Sequence, residues 1–160
     1  MTPSLYIVPT RTDGNLFIMP KPSGEWLRND LQKLKQLDVD HIVSMLEPDE
    51  AASLGLTEEA RLCREFDIRF TSVPVRDRGL PGVETASIIV QTIHQNLNAA
   101  KNVAVHCRAG IGRSGLIVCC ALIADGETPG AAIEKVSQAR GVAVPDTIEQ
   151  KEFIHAFRIC

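Results

Sequence analysis

The chain has 160 residues, 17 Lys plus Arg against 20 Asp plus Glu, and 44% hydrophobic residues, the profile of one compact domain able to bury a core without disulfides or metal. A formal net charge of −3 excludes bulk binding to nucleic acid or anionic membranes, which calls for a basic face, so an anionic ligand must be held by a local device. The five cysteines, odd in number and with Cys119 and Cys120 adjacent, suit a reducing cytoplasm better than secretion.

Met1 to Met19 lacks a charged start followed by a long apolar run, and no 18-residue apolar window occurs, so no targeting, spanning or anchoring segment is expected. Cys160 ends the sequence and lacks the three following residues that prenylation needs. Leu5 to Val8 and Asn15 to Met19 flank Asp13-Gly14 and predict a hairpin, over 4–19, at the edge of a sheet. From Glu25 to Leu37, Trp26, Leu27, Leu31, Leu34 and Leu37 recur at helical spacing. His41 to Leu46 is apolar and partly β-branched and reads as a buried strand. Thr57, with Glu58 and Glu59 behind it, predicts a capped helix to Phe66. Ile68 to Val75 reads as a strand and Arg76 to Pro81 as a loop. Val83 to Leu97 predicts a long helix and Val103 to Val105 a short strand. Leu116 to Ala124, apolar on nearly every face, predicts a buried helix. Helices from Pro129 to Ala139 and from Asp146 to Arg158 complete the alternation. The expectation is a single α/β domain over 1–160, with a mostly parallel central sheet, helices on both faces, and functional groups at the carboxyl ends of the strands.

The chemistry concentrates between a predicted strand and the buried helix, in His106-Cys107-Arg108-Ala109-Gly110-Ile111-Gly112-Arg113-Ser114. Spacing alone is weak, because Cys63 and Arg69 repeat it. That stretch, however, contains no glycine and carries Glu65 and Asp67, which repel an anion. Around Cys107, Gly110 and Gly112 let successive N–H groups converge on one anion, by positive φ or by lacking a side chain. The following helix directs its positive end into the same space, and Arg113 offers a planar fork for two phosphate oxygens. Arg108, Ala109, Gly110, Ile111, Gly112 and Arg113 are therefore candidate phosphate-binding residues. The same surroundings favour the thiolate of Cys107, the nucleophilic form. Ser114 can donate to the sulfur as it leaves, and His106 is suited to fixing the loop. The scattered His41, His94 and His155 indicate no metal, and no cofactor is expected.

His106-Cys107, five residues, then Arg113-Ser114 resembles the signature of the cysteine-dependent protein tyrosine phosphatases, and the short chain resembles their dual-specificity branch over most of Glu25 to Phe157. The resemblance implies a metal-free, two-step hydrolysis of phosphomonoesters through a phosphocysteine. It implies an aspartate on a mobile loop about thirty residues upstream as general acid, where this chain has Asp77, and a glutamine near the hydrolytic water, where it has Gln150 in Pro145-Asp146-Thr147-Ile148-Glu149-Gln150. A phosphorylated protein is the expected partner, on tyrosine with serine or threonine in addition, and the expected enzyme is a cytoplasmic monomer. The same chemistry on a phosphoinositide, an inositol phosphate or an RNA 5′ phosphate is the alternative, with Arg76, Arg78 and Arg108 available for extra phosphates. A non-catalytic phosphate-binding module and a sulfur-transfer or arsenate-reducing enzyme are the readings outside that class.

Overall fold

The computed structural model describes residues 3–159; Met1 and Thr2, and Cys160 with the expectation placed on it, lie outside the described residues. In chain order the elements are β1 (Tyr6–Val8), β2 (Leu16–Met19), α1 (Leu27–Gln36), β3 (His41–Ser44), α2 (Pro48–Ser53), α3 (Glu59–Glu65), β4 (Arg69–Ser72), α4 (Val83–Asn98), β5 (Val103–His106), α5 (Arg113–Ala124), α6 (Pro129–Arg140) and α7 (Ile148–Ala156). The sheet order is β1-β2-β5-β3-β4, and only the β1–β2 pair is antiparallel. The hairpin therefore supplies one edge of an otherwise parallel sheet, as its turn residues predict.

Both faces of the sheet are covered. Val43, Val103 and Val105 point into one apolar cluster with the inner sides of α4, α5, α6 and α7, among them Ile93, Leu116, Val136 and Ile154. Ile42 and Ala104, the alternate positions, point into a second cluster with Leu27, Leu31, Leu34, Leu62 and Cys63 of α1 and α3. Every residue of β3 and β5 is buried, which is why these strands are continuous apolar runs and not alternations. Leu116 to Leu122 is buried without a break, so α5 is the central helix that its composition predicts.

Three local expectations change. Thr57 does not cap the second predicted helix: α3 begins at Glu59, after Glu58. The strand expected to Val75 keeps its ladder only over Arg69–Ser72, although Val73 N–H and Val75 N–H still reach Ser44 and Met45 carbonyls at 2.8 and 3.1 Å. A short helix, α2, follows β3 where no helix was expected. It buries none of its residues, so no apolar stripe marks it, but Glu47 closes a capping box with Glu50 and Pro48 opens the first turn.

The consequence for the site is positional. The segments after β2, β3, β4 and β5 all leave the sheet at the carboxyl end of the parallel strands, the place where open α/β sheets gather ligands.

Candidate active site

The loop after β5 wraps around the Cys107 sulfur. Cys107 is 2% exposed, and burial alone pushes its thiol up. That effect is outweighed by hydrogen bonds from the Ser114 hydroxyl and from the backbone N–H groups of Ser114, Ile111 and Gly110, so the thiol lies below its ordinary value. Ser114 Oγ sits 3.1 Å from the sulfur. Cys63 and Cys119 have no such donors; burial leads the rise of both to about 12, and Cys120 is raised as well. Among the described cysteines only Cys107 is set up to ionise.

The two glycines serve different ends. Gly110 has φ 73, and a Cβ there would lie 2.6 Å from the Met19 carbonyl, so both conformation and space require glycine. Gly112 has φ −79. Its requirement is clearance, because a Cβ would meet Asp146 Cβ at 3.0 Å and the Gln150 amide at 3.2 Å.

Arg113 is 2% exposed and heavily committed. Nη1 donates to Glu50 Oε1 at 2.7 Å and to the Val75 carbonyl at 2.9 Å, and Nη2 donates to Glu50 Oε2 at 2.9 Å. The terminal edge of the guanidinium is thus spent on Glu50. The side edge, Nε–H with the second Nη2–H, is the fork left for an anion. Arg113 in turn holds the Glu50 carboxyl below the usual carboxylate range, chiefly through the hydrogen bond. Nothing in the motif pointed to Glu50. It lies 63 residues away, and the sequence signal that marks its helix is the capping box at Glu47.

His106 is fully buried between two partners. Nε2 pairs with Glu59 Oε2 at 2.7 Å, and Nδ1 donates to the Cys107 carbonyl at 3.1 Å. Burial favours the neutral ring, yet the Glu59 charge and hydrogen bond outweigh it and raise the imidazole above its ordinary value. With both nitrogens engaged, His106 anchors the backbone of Cys107.

Asp77 Oδ1 lies 3.3 Å from Arg113 Nη2. Asp77, Arg78, Cys107, Arg108, Ala109, Ile111, Gly112, Arg113 and Asp146 line one cleft of about 230 Å³. Arg78 pairs with Asp146 at 2.9 Å. Gln150 is buried; its Oε1 accepts from Asp146 N–H at 3.0 Å and Thr147 N–H at 3.1 Å, and its Nε2 donates to the Gly79 carbonyl at 3.2 Å. The Asp77 loop is consequently tied to the start of α7 by two contacts. Arg76 is not among the residues lining the cleft. Among the described residues no group of three or more His, Cys, Asp or Glu side chains could hold a metal ion, and no helix is long and apolar enough to cross a membrane.

The arrangement can hold a tetrahedral dianion, attack it with sulfur and offer a carboxyl group from the open side. The model of a family described as "Polymorphic toxin system, DSP-PTPase phosphatase" matches residues 19–127. Human cyclin-dependent kinase inhibitor 3 is 25% identical over 134 residues, covering 82% of this chain and 63% of the relative. Phosphatidylglycerophosphate phosphatase PTPMT2 of Arabidopsis thaliana is 32% identical over 115 residues, covering 71% and 48%. The chain thus spans less than two thirds of the length of these curated relatives. Among solved structures, kinase associated phosphatase superposes with a TM-score of 0.91 at 21% identity, covering 99% of this chain and 95% of that one, a likeness of fold.

Proposed function

Because the chain belongs to the dual-specificity branch of the cysteine-dependent protein tyrosine phosphatases, we propose that it hydrolyses phosphomonoesters through a phosphocysteine formed on Cys107. The observation that carries this reading is a single cleft lined by the Cys107 sulfur, the Arg113 guanidinium and the Asp77 carboxyl. The Cys107 thiolate attacks phosphorus while the bond to the leaving oxygen breaks. Asp77 delivers a proton to that oxygen, because an alkoxide or phenoxide leaves poorly without one. The loop N–H groups and the side edge of Arg113 hold the equatorial oxygens, where charge gathers in the transition state. Water then attacks the phosphocysteine, Asp77 takes its proton, and Ser114 donates to the departing sulfur.

The substrate of this reading is a phosphorylated protein, on tyrosine with serine or threonine in addition, and the enzyme is a monomer acting in the cytoplasm, where Cys107 stays reduced. Gln150, packed against Gly112 and tied to Gly79, braces the Asp77 loop beside the position of the hydrolytic water. A second reading, the same chemistry on a lipid phosphate, has two supports: a 32% identical relative is named for phosphatidylglycerophosphate, and Arg78 and Arg108 line the cleft.

The test is turnover of a phosphotyrosine peptide, a phosphothreonine peptide and a phosphoinositide by the wild type, Cys107→Ser and Asp77→Asn. Cys107→Ser is expected to abolish turnover. Asp77→Asn is expected to slow phosphopeptide hydrolysis by about 10² to 10⁴ while leaving Cys107 alkylation intact. A preference for the phosphoinositide replaces the first substrate reading with the second. Phosphate binding without turnover in the wild type overturns both.

A further inference from the structure

Arg140 ends α6, where Gly141 at φ 81 closes the helix, and its side chain reaches back to the loop around Cys107. Nε donates to the Gly110 carbonyl at 3.1 Å and Nη2 to the Ala109 carbonyl at 3.0 Å. One edge of the guanidinium therefore grips two successive peptide groups from outside the loop. Its flat face rests on the Tyr6 ring, 4.4 Å from the centroid, which fixes the plane in which that edge lies.

The two peptide groups so held are the ones whose N–H groups matter. In a trans peptide the N–H and C=O point in opposite directions. Drawing the Ala109 carbonyl outward turns the Gly110 N–H inward, and drawing the Gly110 carbonyl outward turns the Ile111 N–H inward. Gly110 and Ile111 are two of the three backbone donors to the Cys107 sulfur. Two consecutive N–H groups on one side are not the default of a chain. They need the positive φ found at Gly110, and something must keep each plane from rotating back. Two further loop carbonyls are tied off as well: that of Cys107 by His106 Nδ1 at 3.1 Å and that of Arg108 by Lys21 N–H at 3.1 Å.

The geometry points to Arg140 as a positioning residue that aims the Gly110 and Ile111 amides at the reactive sulfur, with Tyr6 of β1 as its platform. Arg140 is not bonded to the sulfur and does not itself line the cleft, so it acts through the two peptides alone. The inference concerns the thiolate and holds whether the phosphate leaves a protein or a lipid. It gives the edge hairpin a place in the chemistry, because β1 carries the ring on which the arginine lies.

The test is the rate of iodoacetamide alkylation of Cys107 as a function of pH, read on the Cys107 peptide by mass spectrometry, for the wild type, Arg140→Met, Arg140→Lys and Tyr6→Leu. Arg140→Met keeps an apolar stem on Tyr6 but loses both donors, and the apparent pKa of Cys107 is expected to rise by about one unit. Arg140→Lys keeps the charge but not the two-pronged edge, so its pKa is expected between the two. Tyr6→Leu is expected to move the pKa a smaller distance in the same direction. An unchanged profile in Arg140→Met overturns the inference, even if its melting temperature falls. So does full recovery in Arg140→Lys, since charge alone then suffices. Should Arg140→Met not fold, wild-type profiles in both Arg140→Lys and Tyr6→Leu overturn it.

Discussion

Glu50 holds both terminal nitrogens of Arg113, with Oε1 at 2.7 Å from Nη1 and Oε2 at 2.9 Å from Nη2. The pair decides which edge of the guanidinium faces the cleft, because a fork held at one end can present only its side. A long arginine side chain would otherwise lose orientation with each rotatable bond, and misplacement of about 1 Å near a reacting centre costs on the order of 10²-fold in rate. Glu50→Gln keeps the size but weakens the charge-assisted pair. Its kcat/KM on an aryl phosphate is expected to fall about tenfold or more, while the pH profile of Cys107 alkylation stays at wild type. Turnover within twofold of wild type would show that the clamp does not orient Arg113.

The loop from His106 to Ser114 was legible in the sequence because its parts are contiguous: nucleophile, glycines, helix start and arginine all stand within nine positions. The sheet and central helix were legible because burial on both faces leaves an unbroken apolar run. Glu50, Glu59 and Arg140 were not. Each is a charged residue in a helix whose partner lies 63, 47 and 30 positions away, and no local pattern separates such a side chain from a solvated one. The α2 helix escaped for a related reason. Pro48 reads as the end of a strand, and a helix that buries nothing shows no periodicity. Arg78 shows the converse: it stands beside Asp77 in sequence, but its guanidinium goes to Asp146 and the arginine that meets Asp77 is Arg113.

Ser114 and the loop amides keep Cys107 ionised, so the acidic side of the activity profile reports their strength. A nucleophile active only as thiolate gains activity as pH rises through its pKa, and loss of a donor to the thiolate moves that limb to higher pH. Ser114→Ala removes the 3.1 Å contact to the sulfur. Its alkylation profile is expected to shift upward by about half a unit to one unit. Because the hydroxyl also serves the departing sulfur, the phosphocysteine is expected to accumulate in this variant. Quenched-flow mass spectrometry checks both; a wild-type profile with no accumulation removes Ser114 from the machinery.

His41 makes stability fall in acid. Asn96 Nδ2 donates to its Nδ1 at 3.0 Å and its Nε2 donates to Thr71 Oγ1 at 2.8 Å, an arrangement that suits the neutral ring. Burial first, and the Arg69 charge second, lower its pKa from 6.5 to about 4. The unfolded chain thus takes up a proton that the folded chain refuses between those two values. The contribution is complete above about pH 6.5, is lost as pH falls toward 4, and is flat below. Allowing for partial solvent screening, it amounts to about 1–2 kcal/mol. His106 carries the opposite sign: raised by Glu59, it stabilises below the ordinary imidazole value and loses that contribution as pH climbs through its folded pKa. Urea unfolding of the wild type and His41→Gln from pH 7 to 4.5 isolates the first effect. The gap between the two proteins is expected to narrow as pH falls, and parallel curves contradict the assignment.

Arg78 and Asp146, both exposed, line the cleft and pair with each other at 2.9 Å. Arg78 also has φ 63, a left-handed conformation that a side chain adopts at some cost. A surface ion pair adds little to stability, so its effect belongs to the loop that carries Asp77. Two tethers hold that loop to the start of α7, the ion pair and the Gln150 bond to the Gly79 carbonyl. Severing the first with Arg78→Gly also relieves the backbone, which makes the open loop easier to reach. The melting temperature is expected to stay at wild type while kcat for a poor leaving group drops several-fold. A good leaving group, which needs no proton in transit, is expected to lose much less. Added salt is expected to reduce wild-type kcat in the same leaving-group-dependent way and to leave Arg78→Gly unchanged, because screening weakens an exposed pair that the variant no longer has. Equal losses for both leaving groups would place Arg78 in phosphate binding and not in the positioning of Asp77.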